Sequence, residues 1–184
     1  MEQSEKIAEH MSMYETVIIM ANLAGKSGAA LAPVVSSICK EQNKNVLSFA
    51  IMPFKFEKNR IFQSGISLKR LKMNSDSTII IDNDAILDSN PDFTTQRCYD
   101  VTNNAIKCLA TSIKSSSLTD DTNIMSTSRS TENIEDSVKD SIKMLYEDAP
   151  PNSIKRSMLY VYGADKIPVG VINSISNILG GIFD

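Results

Sequence analysis

Residues 16–28 read TVIIMANLAGKSG, and this stretch decides the fold. Its opening run of β-branched and apolar residues has no polar interruption, the composition of a strand buried on both faces. Gly25, Lys26 and Ser27 follow, with Gly28 behind them, and over residues 29–42 apolar side chains return at helical spacing, Val35, Ile38 and Cys39 on one side. Strand, glycine loop and helix in that order aim backbone N–H groups and the positive end of a helix dipole at the loop, which favours an anion there. A P-loop would need a glycine five positions before the Gly-Lys-Ser, and Met20 stands at that place, so the Walker pattern is broken. A plain strand-to-helix turn is the competing reading of the loop by itself.

Outward from the loop the same alternation continues. Ile7, Met11 and Tyr14 predict a helix before the first strand, and residues 45–51 predict a second buried strand. Ile66, Leu68 and Leu71 predict a helix over 60–73, and residues 78–81 a third strand closed by Asp82, Asn83 and Asp84. Such an order implies a parallel sheet with flanking helices, an α/β fold. Asn90 as cap, Pro91 at the first helical position and Asp92 beside the dipole predict a long helix over 91–113. Residues 114–133, KSSSLTDDTNIMSTSRSTEN, read as a flexible connection and a domain boundary. Beyond it Ile134, Val138, Ile142 and Leu145 predict a helix, residues 154–162 a strand, and Val169, Ile172, Ile175 and Leu179 a final helix. The expected organisation is a nucleotide-binding unit over 1–113, a linker over 114–133 and a small α+β unit over 134–184.

Composition limits the function classes. The chain has 184 residues, 42% hydrophobic and 22% charged, close to the averages of globular proteins. A net charge of −3 with 19 scattered basic residues argues against a nucleic-acid footprint and a polybasic membrane patch. Cys39, Cys98, Cys108 and the single His10 lack metal-ligand spacing, so no metal site is expected and a reducing cytoplasm is the expected home. Neither an export signal nor a membrane span is read from the chain.

Several motifs, taken in order, resemble the tubulin/FtsZ family of GTP-binding filament proteins. The loop is similar to that family's phosphate loop, A-G-x-G-G-G-T-G-T-G-A-A-P, with Ala21, Gly25, Ser27, Gly28, Ala32 and Pro33 in register. Asn22, Ala24, Lys26, Ala29 and Ala30 stand where the family mostly has Gly or Thr. PFKFE at 53–57, followed by Arg60, is similar to the family's P-F-x-F-E-G, and the resemblance implies that Glu57 lies by the ribose and Arg60 by the nucleotide. Without the motif, the two would read as a surface ion pair. DSTIIIDNDAIL at 76–87 resembles D-S-x-I-x-I-P-N-D-x-L-L, with Asp82 in place of Pro; in isolation Asp82 reads as a strand-end turn. CYDVTNNAIKCL at 98–109 resembles the long helix on which an aromatic stacks on guanine and an Asn or Asp reads its edge, which implies those roles for Tyr99 and Asn103. Their four-residue interval puts them on one helix face, one turn apart.

The family's catalytic loop, N-x-D-x-x-D, finds only Asp120 and Asp121 in a shortened segment, with Ser117 on the first aspartate's place. MLYVYGADK, from 158, resembles the family's late strand, with Gly163 in the turn. Set beside the family, the chain starts after the first glycine-rich phosphate loop and stops before the final strands. The resemblance therefore implies a partial Rossmann-like GTPase domain that binds GTP or GDP weakly, with Mg²⁺ only where a triphosphate is bound, and hydrolyses poorly. Its implied partner is a full-length homologue or a second copy in a filament. Two alternatives stay open: an active GTPase that assembles with a partner chain, and a structural or interaction protein that keeps the fold alone.

Overall fold

The structure is a computed structural model that describes residues 2–113, 122–128, 133–150, 153–154, 158–161 and 168–183. The elements in chain order are α1 (Glu2–Met11), β1 (Thr16–Asn22), α2 (Lys26–Glu41), β2 (Asn45–Met52), α3 (Lys58–Met73), β3 (Ser77–Asp82), α4 (Asn83–Ser89), α5 (Thr95–Ser112), β4 (Thr122–Ile124), α6 (Ile134–Asp148) and α7 (Val169–Phe183). They divide into two compact units, one within Met1–Asp84 and Lys114–Met125, the other within Ala85–Ile113 and Ser126–Asp184.

The first unit is built on a parallel sheet in the order β1-β2-β3-β4. The predicted α/β architecture with a parallel sheet is what forms. In β1 the side chains of Ile19 and Ala21 point to the same face as Val46 and Ala50 of β2, and Ala32 and Cys39 of α2 and Leu71 of α3 close over them. A β-strand alternates its faces, so Ile18 and Met20 point the other way and are exposed along the sheet's edge. The turn after α2 passes through Asn43 at φ 54°, a left-handed conformation that asparagine tolerates because its short amide can bond locally.

A carboxylate clamps the amino ends of the sheet. Asp76 donates its backbone N–H to the Val46 carbonyl, and its side chain accepts from the Val46 N–H at 2.8 Å and from Lys40 Nζ at 2.6 Å. Burial pushes the Asp76 carboxyl up, but the Lys40 ammonium and the Val46 N–H outweigh it and hold the group below its ordinary range. A depressed carboxylate stabilises the fold fully above the unfolded-chain value of about 3.9 and ceases to do so as the pH falls through the lower folded value. Asp76→Asn is therefore expected to melt below the parent at neutral pH, with the gap closing below about pH 4. Both side chains reach water, so the gap is modest. A gap that stays constant down the pH scale in thermal melts would contradict the clamp.

In the second unit, Val138 and Ile142 of α6 pack with Ile175 of α7, supported by Ile134, Tyr146, Val171, Ile178 and Leu179. The Asn133 side chain caps α6 by accepting from the Glu135 N–H at 2.9 Å. Helix α5 buries Cys98, Thr102 and Ile106, one stripe at four-residue spacing. Burial pushes the thiols of Cys39 and Cys98 up, so both stay protonated and act as small apolar side chains.

Three expectations are corrected. Helix α5 begins at Thr95, later than the predicted 91, because Asn90 closes α4 instead of opening α5: its amide and its backbone N–H both donate to the Ile86 carbonyl at 3.0 Å. The cap is Thr94, whose hydroxyl accepts from the Arg97 N–H at 3.2 Å. The segment read as a bare connection contains β4, where Thr122, Asn123 and Ile124 pair with Thr78, Ile79 and Ile80 and the Asn123 amide donates to Ser77 Oγ. Residues 158–161 carry no strand, and the rest of that prediction, beyond 154, lies outside the described residues.

Candidate functional site

In a parallel sheet all strands end on one edge, and ligands of open α/β sheets collect outside those carboxyl ends. Three chain segments meet that edge in the first unit: the loop after β1, the PFKFE segment after β2, and Asn83 with Asp84 after β3.

The loop after β1 is held at three points. Asn22 Oδ1 accepts from the Ala24 N–H at 2.9 Å, an Asx-type turn that bends the chain out of the strand. The Leu23 N–H donates to the Ile51 carbonyl at 2.9 Å, and the Leu23 carbonyl accepts from Ser64 Oγ at 2.7 Å. Gly25 then caps α2 in extended conformation, with no side chain bonding the first turn. The N–H groups of a helix's first turn have no intrahelical acceptor, so this end faces outward with its donors available to an anion. Lys26 and Ser27 are exposed beside it, and Gly25 and Gly28 are half-buried. A Cβ on Gly28 would come within 2.2 Å of the Asn22 carbonyl oxygen. Only glycine lets the first turn of α2 lie this close to the end of β1.

The segment after β2 forms a tight turn. Phe54 is buried and stacks on the exposed Phe56, ring centres 5.0 Å apart. Glu57 accepts from the Phe54 N–H at 3.2 Å through one oxygen and from Arg60 Nη1 at 3.0 Å through the other. The two predicted residues are thus brought together as an i,i+3 ion pair, Glu57 mostly covered and Arg60 largely open to water. Asp84 accepts from the Lys55 N–H at 2.5 Å and Asn83 donates to the Met52 carbonyl at 3.0 Å, which tie the third segment to the second. Asp82 Oδ1 accepts from the Asp84 N–H at 2.8 Å, a turn that starts α4.

Tyr99 and Asn103 stand one turn apart on α5 in the second unit, the tyrosine half-buried and the amide exposed. Asp120, Asp121, Ser117 and Gly163 lie outside the described residues. Sequence reasoning missed the residues that fix the loop, Asn22 and Ser64. An Asn at the end of an apolar run is a signal for the first. The second could not be read, because its acceptor lies 41 positions away. Among the described residues no group of His, Cys, Asp and Glu is arranged to hold a metal ion, and no helix is long and apolar enough to cross a membrane.

Comparison with known proteins agrees with this geometry. Residues 1–91 match the pattern described as Tubulin/FtsZ family, GTPase domain. The chain is 33% identical over 95 residues to Cell division protein FtsZ 2 of Halobacterium salinarum, covering 52% of this chain and 24% of that protein. It is 36% identical over 87 residues to Cell division protein FtsZ of Aquifex aeolicus, covering 47% and 24%. The chain thus spans about a quarter of the length of these curated relatives. Among solved structures, an empty FtsZ dimer of M. jannaschii aligns with 59% of this chain and 33% of that one, at TM-score 0.54 and 28% identity. A mutant FtsZ of the same organism aligns with 100% of this chain and 61% of that one, at TM-score 0.73 and 18% identity, a likeness of fold. The sheet, its glycine loop and the segments at its carboxyl edge are thus similar to those of the Tubulin/FtsZ family, whose GTPase-domain match runs over residues 1–91.

Proposed function

We propose that this chain is a guanine-nucleotide-binding protein of the cell-division cytoskeleton, with weak or absent GTP hydrolysis, that acts as a filament partner or regulator of full-length homologues. The observation that carries the reading is the uncapped amino end of α2, held by the Asn22 turn beside exposed Lys26 and Ser27 at the carboxyl edge of the sheet. Phosphate oxygens fit such an end, because backbone donors and dipole act together there and the Lys26 ammonium adds charge. A guanine nucleotide would supply the phosphates, with Gly25, Lys26, Ser27 and Gly28 around them and Glu57 and Arg60 toward the ribose. Tyr99 would cover the base and Asn103 read its edge. Mg²⁺ would enter with a triphosphate, whose oxygens are its natural ligands. Weak hydrolysis is proposed because the short polar segment holding Asp120 and Asp121 does not keep the family's carboxylate spacing.

The test is a titration with labelled GTP, GDP and ATP. Guanine nucleotides are expected to bind more tightly than ATP, Tyr99→Ala to weaken binding about tenfold, and Asn103→Ala to remove the preference for guanine. Equal affinity for GTP and ATP in the parent would remove the role given to Asn103. A flat response, unchanged by Tyr99→Ala, would leave a scaffold without nucleotide.

A further inference from the structure

We infer that the outer face of α3 is a docking surface for an anionic lipid membrane. Helix α3 packs on the sheet through Ser64, Ser67 and Leu71. At 3.6 residues per turn the opposite face carries Phe62, Ile66, Lys69 and Met73. Phe62 is 78% exposed and Met73 74%. On the adjacent α2, Leu31 and Val34 are likewise exposed, at 60% and 50%.

Within α3 itself the charged residues have one sign. Lys58, Lys69, Arg70 and Lys72 are exposed on α3, and all 22 acidic residues of the chain lie outside this helix. The chain-wide charge of −3 conceals this excess. Apolar side chains flanked by long cationic ones suit a membrane interface, where rings enter the headgroup boundary and Lys and Arg reach back to anionic lipid.

The occupant follows from the shape. The depression on this face is lined by Gly65, Leu68, Lys69, Lys72 and Met73, all from α3 itself, so it is an open helix surface rather than a cleft between elements. A partner protein's side chains would find no walled recess there, whereas a lipid surface needs none. A second copy presenting the same face would meet its own positive charge.

Cosedimentation of the full chain with phosphatidylcholine vesicles containing about one-third phosphatidylserine tests the proposal. The protein is expected to pellet with these vesicles at about 100 mM salt, to be released at about 500 mM, and to remain in solution with pure phosphatidylcholine. Lys69→Glu with Arg70→Glu, and separately Phe62→Ser, should each lower the bound fraction at limiting lipid about tenfold, with unchanged circular dichroism. No pelleting with anionic vesicles would overturn the proposal and leave the face to an acidic protein partner. Equal pelleting with both vesicle types, or binding indifferent to these substitutions, would overturn it as well. None of these residues belongs to the nucleotide site, so the result is independent of GTP binding.

Discussion

Gly28→Ala is expected to destabilise the protein by about 3 kcal/mol and to lower its melting temperature by about 6–12 °C. The added methyl would stand 2.2 Å from the Asn22 carbonyl oxygen and 3.0 Å from its carbon. Both are backbone atoms, so no rotamer change relieves the clash, and either α2 or the end of β1 must move. The loop between them is tied at Leu23 to β2 and α3, which leaves the strain no compliant neighbour. Two other glycines serve as controls. At Gly25 the nearest atom is 3.4 Å from the added methyl, an ordinary contact, and at Gly65 nothing lies within 4 Å. Gly65→Ala sits in the interior of α3 and should stabilise by up to about 1 kcal/mol, because glycine there carries an entropic cost. Calorimetric melts of the three variants decide the matter, and the close approach is refuted if Gly28→Ala melts within about 2 °C of the parent.

Phe49→Ala should be costlier still. Phe49 is 0% exposed in β2, between Met20 of β1 and Ile79 of β3 in the register of the sheet. Removing a fully buried phenyl ring costs about 3–5 kcal/mol through lost transfer energy and the cavity left behind. A domain has only about 5–15 kcal/mol of net stability to lose, so the variant is expected to melt with little cooperativity or to accumulate as aggregate. Phe56→Ala is the natural comparison, since that ring is 62% exposed and its loss should move the urea midpoint little. If Phe49→Ala cost less than about 1 kcal/mol in urea unfolding, the position of β2 between two partners would be wrong.

The parts of this fold that were legible in the sequence are those whose own residues carry the pattern. The runs VIIM, VLSFAI and TIII are mostly apolar because each lies in a parallel sheet covered on at least one face, and they mark β1, β2 and β3 directly. Helices α2, α6 and α7 repeat apolar residues at helical intervals for the same reason. β4 was illegible because its three residues, Thr122, Asn123 and Ile124, owe their conformation to the open edge of β3 rather than to their own preferences. Asn90 and Pro91 carried a valid start signal that a competing role of Asn90 overrode. The apolar residues 158–161 have strand propensity and no neighbouring strand to pair with among the described residues. At the candidate site, Gly25 to Gly28, Glu57 and Arg60 were legible because they follow strand ends in a recognisable order. The bonds of Leu23 to Ile51 and Ser64 were not, since a backbone atom leaves no trace in composition.

Those two bonds bear on how the loop would meet the phosphate proposed for it. Leu23 is gripped on its nitrogen by one strand and on its oxygen by a helix, which holds the direction of the chain entering Gly25. On the proposed reading an incoming anion would find a receptor already held in place, with little ordering of the peptide left to oppose capture. Such a site would discriminate by shape: an ion whose oxygens match the donors would be retained, and one that does not could not induce a better fit.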